Sequence, residues 1–192
     1  YHGVAIVSRL PFAEQNSRAF CGKEDCRHVS ISLAGSKPIT IHNLYAPSGG
    51  DETDPGINEK FAHKLKSIDE LESWFAKGSV PKGQEGVVVG DLNIAPLEHD
   101  VWSHKDLLKV VSHTPVETQG LLRAMKAGNW VDLMRQHTPA SEKLYTWWSY
   151  RAKDWALANR GRRLDHIWST PGLSPACKDI TILRETRGWT QT

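Results

Sequence analysis

Val87-Val88-Val89-Gly90-Asp91-Leu92-Asn93-Ile94-Ala95-Pro96 is an apolar β-branched run that stops at a glycine and turns polar at once. With Gly86 in front, the run is short and bounded by glycines, the pattern of a strand buried on both faces. Asp91 and Asn93 follow it, and residues two apart on extended chain point the same way. Both then face one place at the strand's C-terminal edge, where irregular chain commonly builds sites. An Asp there can orient or deprotonate a water. An Asn can hydrogen-bond a phosphoryl oxygen or ligate a hard cation such as Mg2+. The same pair also suits an Asx turn, and the spacing alone leaves both readings open.

Upstream, Ile39-Thr40-Ile41-His42-Asn43-Leu44-Tyr45 alternates apolar and polar and is broken by Pro47-Ser48-Gly49-Gly50, so it reads as a half-buried strand. Tyr45 and Ser48 can each donate a hydroxyl to a phosphate oxygen; Tyr45 equally suits a half-buried aromatic. Residues 29–33 repeat the alternation, and Val4–Ser8 reads as a further strand ended by Leu10-Pro11. Between Asn58 and Ala76, Phe61, Leu65, Ile68, Leu71, Trp74 and Phe75 recur at spacings of three and four, which predicts an amphipathic helix. Thr118–Ala127 reads as a second helix with Gly128 as its stop. Late strands are expected at Leu164–Ser169 and Ile180–Leu183. Strands and helices mix without regular alternation, which favours a two-layer sheet core with helices outside over a doubly wound parallel sheet.

Downstream lies Tyr145-Thr146-Trp147-Trp148-Ser149-Tyr150-Arg151-Ala152-Lys153-Asp154-Trp155, then Asn159-Arg160-Gly161-Arg162-Arg163-Leu164-Asp165-His166. From Arg151 to Arg163 there are five basic residues and one acid, interleaved with or following aromatics. Cations match phosphates, and aromatic faces fill a groove or stack on a displaced base. A solvated loop with tryptophans in the core is the other reading. Asp165, among arginines at the start of an apolar strand, is either an ion-pair partner or the orienter of a histidine. His2, His42, His63, His99, His104, His113, His137 and His166 each read as surface or core-edge residues, and none has zincin spacing. No phosphate-binding P-loop, dinucleotide fingerprint or nucleophile elbow is present.

The 192 residues suit one domain, and 39% hydrophobic with 24% charged content is ordinary globular composition. A net charge of +2 makes any case for a polyanionic partner a local one. Cys21, Cys26 and Cys177 form no C-x-x-C pair, so reduced thiols are expected. No apolar run is long enough to cross a bilayer, and the opening residues lead to the expectation of no signal peptide. The chain opens without Met on Tyr1-His2-Gly3-Val4-Ala5-Ile6-Val7, already a strand pattern, so an N-terminal truncation is expected.

Together these segments resemble the endonuclease/exonuclease/phosphatase superfamily. Gly90-Asp91-Leu92-Asn93-Ile94-Ala95-Pro96 is similar to its central motif, and Tyr45-Ala46-Pro47 to its catalytic tyrosine loop. Residues 145–151, 162–167 and 1–6 resemble the abasic-site nuclease branch, exodeoxyribonuclease III type. The resemblance implies a four-layer α/β sandwich, two facing mixed sheets flanked by helices, incomplete because both termini are missing. Residues 1–192 are then a partial catalytic domain.

It further implies a monomeric, cytoplasmic, nucleoid-associated bacterial enzyme that uses Mg2+ or Mn2+. Such an enzyme cleaves double-stranded DNA 5′ to abasic sites and degrades it from 3′ ends. Asp91 would activate water, Asn93 and Tyr45 would bind the scissile phosphate, and Asp165 would orient a histidine that has no counterpart here. Asp91 and Asn93 would be the metal contacts. Ser48, Trp147, Tyr150, Arg151, Arg160 and Arg162 would contact DNA, with Trp147 lining the pocket for an abasic sugar. The family's amino-terminal Asn and metal-binding Glu lie upstream of the matching strand. Its Ser-Asp-His-x-Pro segment is expected about where Thr192 ends. A chain without these is expected to bind metal weakly and turn over little. A phosphodiesterase acting on another phosphate ester, or a non-catalytic DNA-binding module, are the competing expectations.

Overall fold

The computed structural model describes residues 3–189. The elements in chain order are β1 (Phe12–Ser17), β2 (His28–Leu33), β3 (Ile39–Tyr45), α1 (Glu59–Ala76), β4 (Glu85–Asp91), α2 (His104–Leu107) and α3 (Pro115–Ala127). There follow β5 (Val131–Asp132), α4 (Leu133–His137), β6 (Trp147–Trp148), α5 (Trp155–Ala158), β7 (Gly161–Arg162) and β8 (Asp165–Ser169). Six strands form one mixed sheet in the order β1-β2-β3-β4-β8-β5, and β6 pairs with β7 in a second, two-stranded sheet. This is the α/β class expected from the sequence. The second sheet is far smaller than its partner. β3 and β4 are parallel, and α1 is the crossover that a parallel pair requires.

Strand alternation assigns the two faces of the large sheet. His42 and Leu44 of β3, Val88 of β4, and His166 and Trp168 of β8 are buried on one face. There they meet Ile68, Leu71 and Phe75 of α1 and Leu121 and Ala124 of α3. Burying each large apolar side chain is worth roughly 1.5–3 kcal/mol, so this layer holds the sheet and both helices together. The opposite face carries Tyr45, Asp91 and Asp165, which are aligned in adjacent strands.

Helix ends follow local chemistry. Asn58 caps α1 by accepting the Lys60 amide at 3.0 Å. Thr114 and Glu117 form a capping box on α3, with Pro115 in its first turn, a pattern that satisfies the orphan amides of a helix start. α3 therefore starts three residues before the expected Thr118.

Two expected strands are not present. Residues 4–8 and 180–183 pair with no described strand and are partly or fully exposed, so water rather than a ladder can meet their amides and carbonyls. Tyr1 and His2, at the start of the strand-like opening of the chain, lie outside the described residues. Conversely, β1 has no apolar period and is exposed throughout, yet it pairs with β2 as an edge strand.

The expectation for histidines also needs correcting. His42, His113 and His166 are buried, as is His28. His28 and His42 stack at 5.3 Å beneath Trp74, and burial pushes both pKa values down to about 4. They are neutral core side chains at neutral pH.

Candidate active site

β3, β4 and β8 end at one edge of the sheet, and the register aligns Tyr45 with Asp91 and Asp91 with Asp165. In the antiparallel Asp91–Asp165 pair the Cβ atoms are roughly 4.5–5.5 Å apart. Tyr45, Asp91 and Asp165, separated widely in sequence, therefore form one row across three strands. Tyr45 and Asp91 are half-buried and Asp165 is exposed.

Gly90 makes the turn out of β4 possible. Its φ of +135° disfavours any L side chain, and a Cβ there would run into the Leu44 carbonyl oxygen. The chain then closes an Asx turn in which the Asn93 amide donates to Asp91 Oδ1 at 2.8 Å. Asn93 sits at φ +53°, a left-handed conformation that Asn tolerates well. Its Nδ2 donates to the Ala46 carbonyl at 2.9 Å, which ties the turn to the loop after Tyr45. The turn and the convergence of side chains coexist, so the two readings of the Asp91–Asn93 spacing do not exclude one another.

Beneath this turn is a buried ion pair that the sequence reading missed. Lys64 Nζ and Glu117 Oε1 are 2.6 Å apart, both fully buried. Lys64 also donates to the Asn93 carbonyl at 2.8 Å and the Ser48 carbonyl at 3.2 Å. Glu117 accepts the Ser112 amide and the Thr114 hydroxyl. The capping box of α3 thus reaches through Lys64 to fix the loops on both sides of the site. Burial lowers the Lys64 pKa, and Glu117 opposes the shift. The signal was available: Lys64 falls in the 61–64–68–71–75 stripe of α1, and Thr114-x-x-Glu117 is a capping-box pattern.

The carboxylates are not neutralised in this way. Among the described residues neither Asp91 nor Asp165 has a cation in ion-pair contact. Burial, then repulsion from Asp165, push the Asp91 pKa up to about 6, against the Asn93 amide and the more distant Lys64. Asp165 is anchored through its backbone: its amide donates to Thr146 Oγ1 at 3.1 Å.

Thr146 leads into the aromatic segment, so that segment begins beside the carboxylate row. Trp147 pairs with Arg162 across β6 and β7, with the Arg162 guanidinium 5.8 Å from the indole centroid. Arg162 is half-buried, and its Nη1 donates to the Val111 carbonyl and to Ser112 Oγ at 2.8 Å. No carboxylate pairs with it among the described residues. Arg160 lies over Trp102 at 4.8 Å, farther along the same surface. Ser48, Tyr150 and Arg151 are exposed. Trp148 and Tyr145 belong to the core. The sequence-predicted residues therefore divide in two. Tyr45, Asp91 and Asp165 form one row with Asn93 turned back onto Asp91 and Ala46, while Trp147 and Arg162 pair on β6 and β7 and Ser48, Tyr150, Arg151 and Arg160 stand exposed outside that row.

The cluster fits a divalent ion only in part. Such an ion takes about six oxygen ligands, whereas no group of three or more His, Cys, Asp or Glu placed to hold a metal occurs among the described residues. The crowded, uncompensated Asp91–Asp165 pair nevertheless has the charge that favours a cation.

The model of the Endonuclease/Exonuclease/phosphatase family matches residues 1–186. Exodeoxyribonuclease III of Haemophilus influenzae is 28% identical over 155 residues, covering 78% of this chain and 56% of that protein. The chain thus spans about half the length of this curated relative. Among solved structures, an AP endonuclease from Archaeoglobus fulgidus superposes with a TM-score of 0.73 at 28% identity, over 85% of this chain and 61% of that one. A 3′-5′ exonuclease from Neisseria meningitidis has the same fold, with a TM-score of 0.82 at 24% identity, over 96% of this chain and 68% of that one.

Proposed function

The chain belongs to the endonuclease/exonuclease/phosphatase family, and on that premise we propose that residues 1–192 are part of the catalytic domain of a DNA-repair phosphodiesterase. The substrate is double-stranded DNA carrying abasic sites or 3′ ends. The carrying observation is the row of Tyr45, Asp91 and Asp165 on three neighbouring strands, with Asn93 folded back beside it.

Water attacks the phosphorus in line, with no covalent intermediate. Asp91 accepts the proton of that water; a carboxylate with a pKa of about 6 is basic enough to do so and still largely ionised at neutral pH. Tyr45 and the second hydrogen of the Asn93 side-chain amide hydrogen-bond the phosphoryl oxygens, where negative charge grows. Asp165 adds negative potential across the strand pair. Trp147 and Arg162 line the pocket for the sugar next to the scissile phosphate. Ser48, Tyr150, Arg151 and Arg160 contact the flanking DNA.

Asp91 and Asn93 would contact Mg2+ or Mn2+, weakly, since few oxygen donors gather there. When bound, the ion offsets charge on the phosphoryl oxygens. A monomer in the cytoplasm completes the proposed reading. No helix among the described residues is long and apolar enough to cross a membrane.

The test is cleavage of an end-labelled duplex carrying one abasic-site analogue, with Mg2+, by residues 1–192. Slow cleavage is expected, lowered at least about 100-fold further in Asp91→Asn, the scale of a lost general base. Cleavage unaffected by that substitution contradicts the assignment of Asp91.

A further inference from the structure

The 3-10 turn Arg184–Gly188 has no part in the chemistry above, yet its two arginines clasp the aromatic loop that follows β6. Arg187 donates Nε to the Trp148 carbonyl at 3.1 Å and Nη2 to the Ser149 carbonyl at 2.9 Å. Held in this way, its guanidinium lies 4.0 Å from the centroid of the Tyr150 ring. Arg184 donates to the Ala156 carbonyl at 2.7 Å and lies over both Trp148 and Trp155 at 5.4 Å.

Tyr150 is nevertheless 77% exposed. One face of its ring is therefore backed by a fixed cation while much of the ring still meets solvent. Tyr150 and Trp147 also line a cleft whose other wall is Leu183, Arg184 and Arg187. That cleft includes Thr146, whose hydroxyl holds the Asp165 amide, so it opens beside the carboxylate row. The charge is locally concentrated. Residues 147–160 and 184–188 hold five basic residues and two acids, a local excess of three positive charges where the whole chain carries +2.

We propose that this clasped loop is a stacking subsite for an unpaired nucleotide at a DNA end, with Tyr150 as the platform for its base and Arg187 as the backing that fixes the platform. The proposal rests on the DNA-directed reading of the neighbouring site and adds to it the form of DNA preferred. A paired base has both faces covered by its neighbours in the stack; a frayed or overhanging base has a face to offer. An exposed aromatic face set among cations recognises such a base with little regard to sequence. Because Arg187 is anchored by two carbonyls, the ring is ordered before the base arrives, and less freedom is lost on binding.

The test is fluorescence anisotropy at low salt, with EDTA to prevent cleavage. Two labelled duplexes of the same sequence are compared, one blunt and one with a short 3′ overhang. The overhang should bind about tenfold tighter, the scale of one base stacked on an aromatic ring. Arg187→Gln should remove that preference and leave blunt-duplex affinity within about twofold, because most of that affinity comes from phosphate contacts elsewhere; Tyr150→Ala should weaken both duplexes, the overhang about tenfold more than the blunt one. Tyr150→Phe should keep the preference. Equal affinity of the parent for the two duplexes overturns the subsite, as does an equal loss on both in Tyr150→Ala; either result leaves the nuclease reading intact. Failure to bind either duplex removes the nuclease reading and the subsite with it. Circular dichroism of each variant separates these outcomes from misfolding.

Discussion

Two pairs of aspartates lie at the core and rim of this molecule, and their surroundings are opposite. Asp100 is fully buried and receives Arg163 through two bonds of 2.8 and 2.9 Å and Arg135 at 2.6 Å. Arg163 also reaches Asp132 at 2.7 Å. Those guanidinium groups hold the Asp100 pKa down even though burial opposes them. Asp91 and Asp165 face each other across β4 and β8 with no such partner among the described residues, and Asp91 is raised to about 6. A fold that supplies two arginines to one pair could have supplied one to the other. The compensated pair holds α4, β8 and the 98–100 turn together. On the proposed reading, the uncompensated pair keeps its charge available for a substrate and a cation; perturbed acids tend to mark functional sites.

The contrast can be broken from either side. The largest effect is expected at the compensated pair. Arg163→Met leaves the buried Asp100 carboxylate with only Arg135 and the Leu97 amide as partners, and losing one member of a buried pair costs about 3–5 kcal/mol. Urea unfolding at pH 7 measures it, and a change below about 1 kcal/mol, the scale of a surface pair, would show that the network is not structural.

Lys64→Met comes next. It strips Glu117 of its cation, but Glu117 keeps the Ser112 and Thr114 donors, so a loss of about 2–3 kcal/mol is expected. Because the Asn93 carbonyl also loses its donor, DNA cleavage should fall by more than the loss of folded protein explains. A loss of activity that tracks the folded fraction alone would make Lys64 purely structural.

The third effect has the opposite sign. The folded protein holds a proton on Asp91 up to a pH of about 6, whereas the unfolded chain releases it near 3.8. Between those values the folded state binds more protons, so its stability falls as pH rises through that window and stays lower above it. Asp91→Asn removes this penalty and should stabilise the protein by about 1–3 kcal/mol at pH 7, with little change at pH 4. Thermal unfolding at the two pH values checks it; destabilisation at pH 7 would mean that the charge is well compensated. The smallest effect is that of Mg2+, whose weak site should stabilise the parent by less than about 1 kcal/mol at concentrations near its Kd and Asp91→Asn not at all.

Tyr45, Asp91, Asn93 and Asp165 were legible in the sequence because each sits where an apolar run meets a loop, and strand ends of one sheet share an edge. Their support was harder to see. Lys64 and Glu117 lie 53 residues apart on helices whose polar residues read as solvent-facing, and only packing of α1 against α3 shows that they meet. Arg163 was read only as one of the five basic residues of the 151–163 segment, and its partner Asp100 lies 63 residues upstream. Strand propensity over-reached at residues 4–8 and 180–183, where β-branched side chains are present but no described ladder receives them. It under-reached at Phe12–Ser17, where pairing with β2 overrides a polar sequence.

The central claim, that the Asp91–Asp165 pair is left uncompensated so that it can act on a phosphate with the help of a cation, is tested most directly by carboxyl carbon-13 NMR titration of Asp91. Without divalent ions the expected midpoint is near pH 6, moving down when Mg2+ is added and moving down again when Asp165→Asn removes the facing charge. A midpoint near 3.8, indifferent to both changes, would show an ordinary turn-capping aspartate and contradict the account.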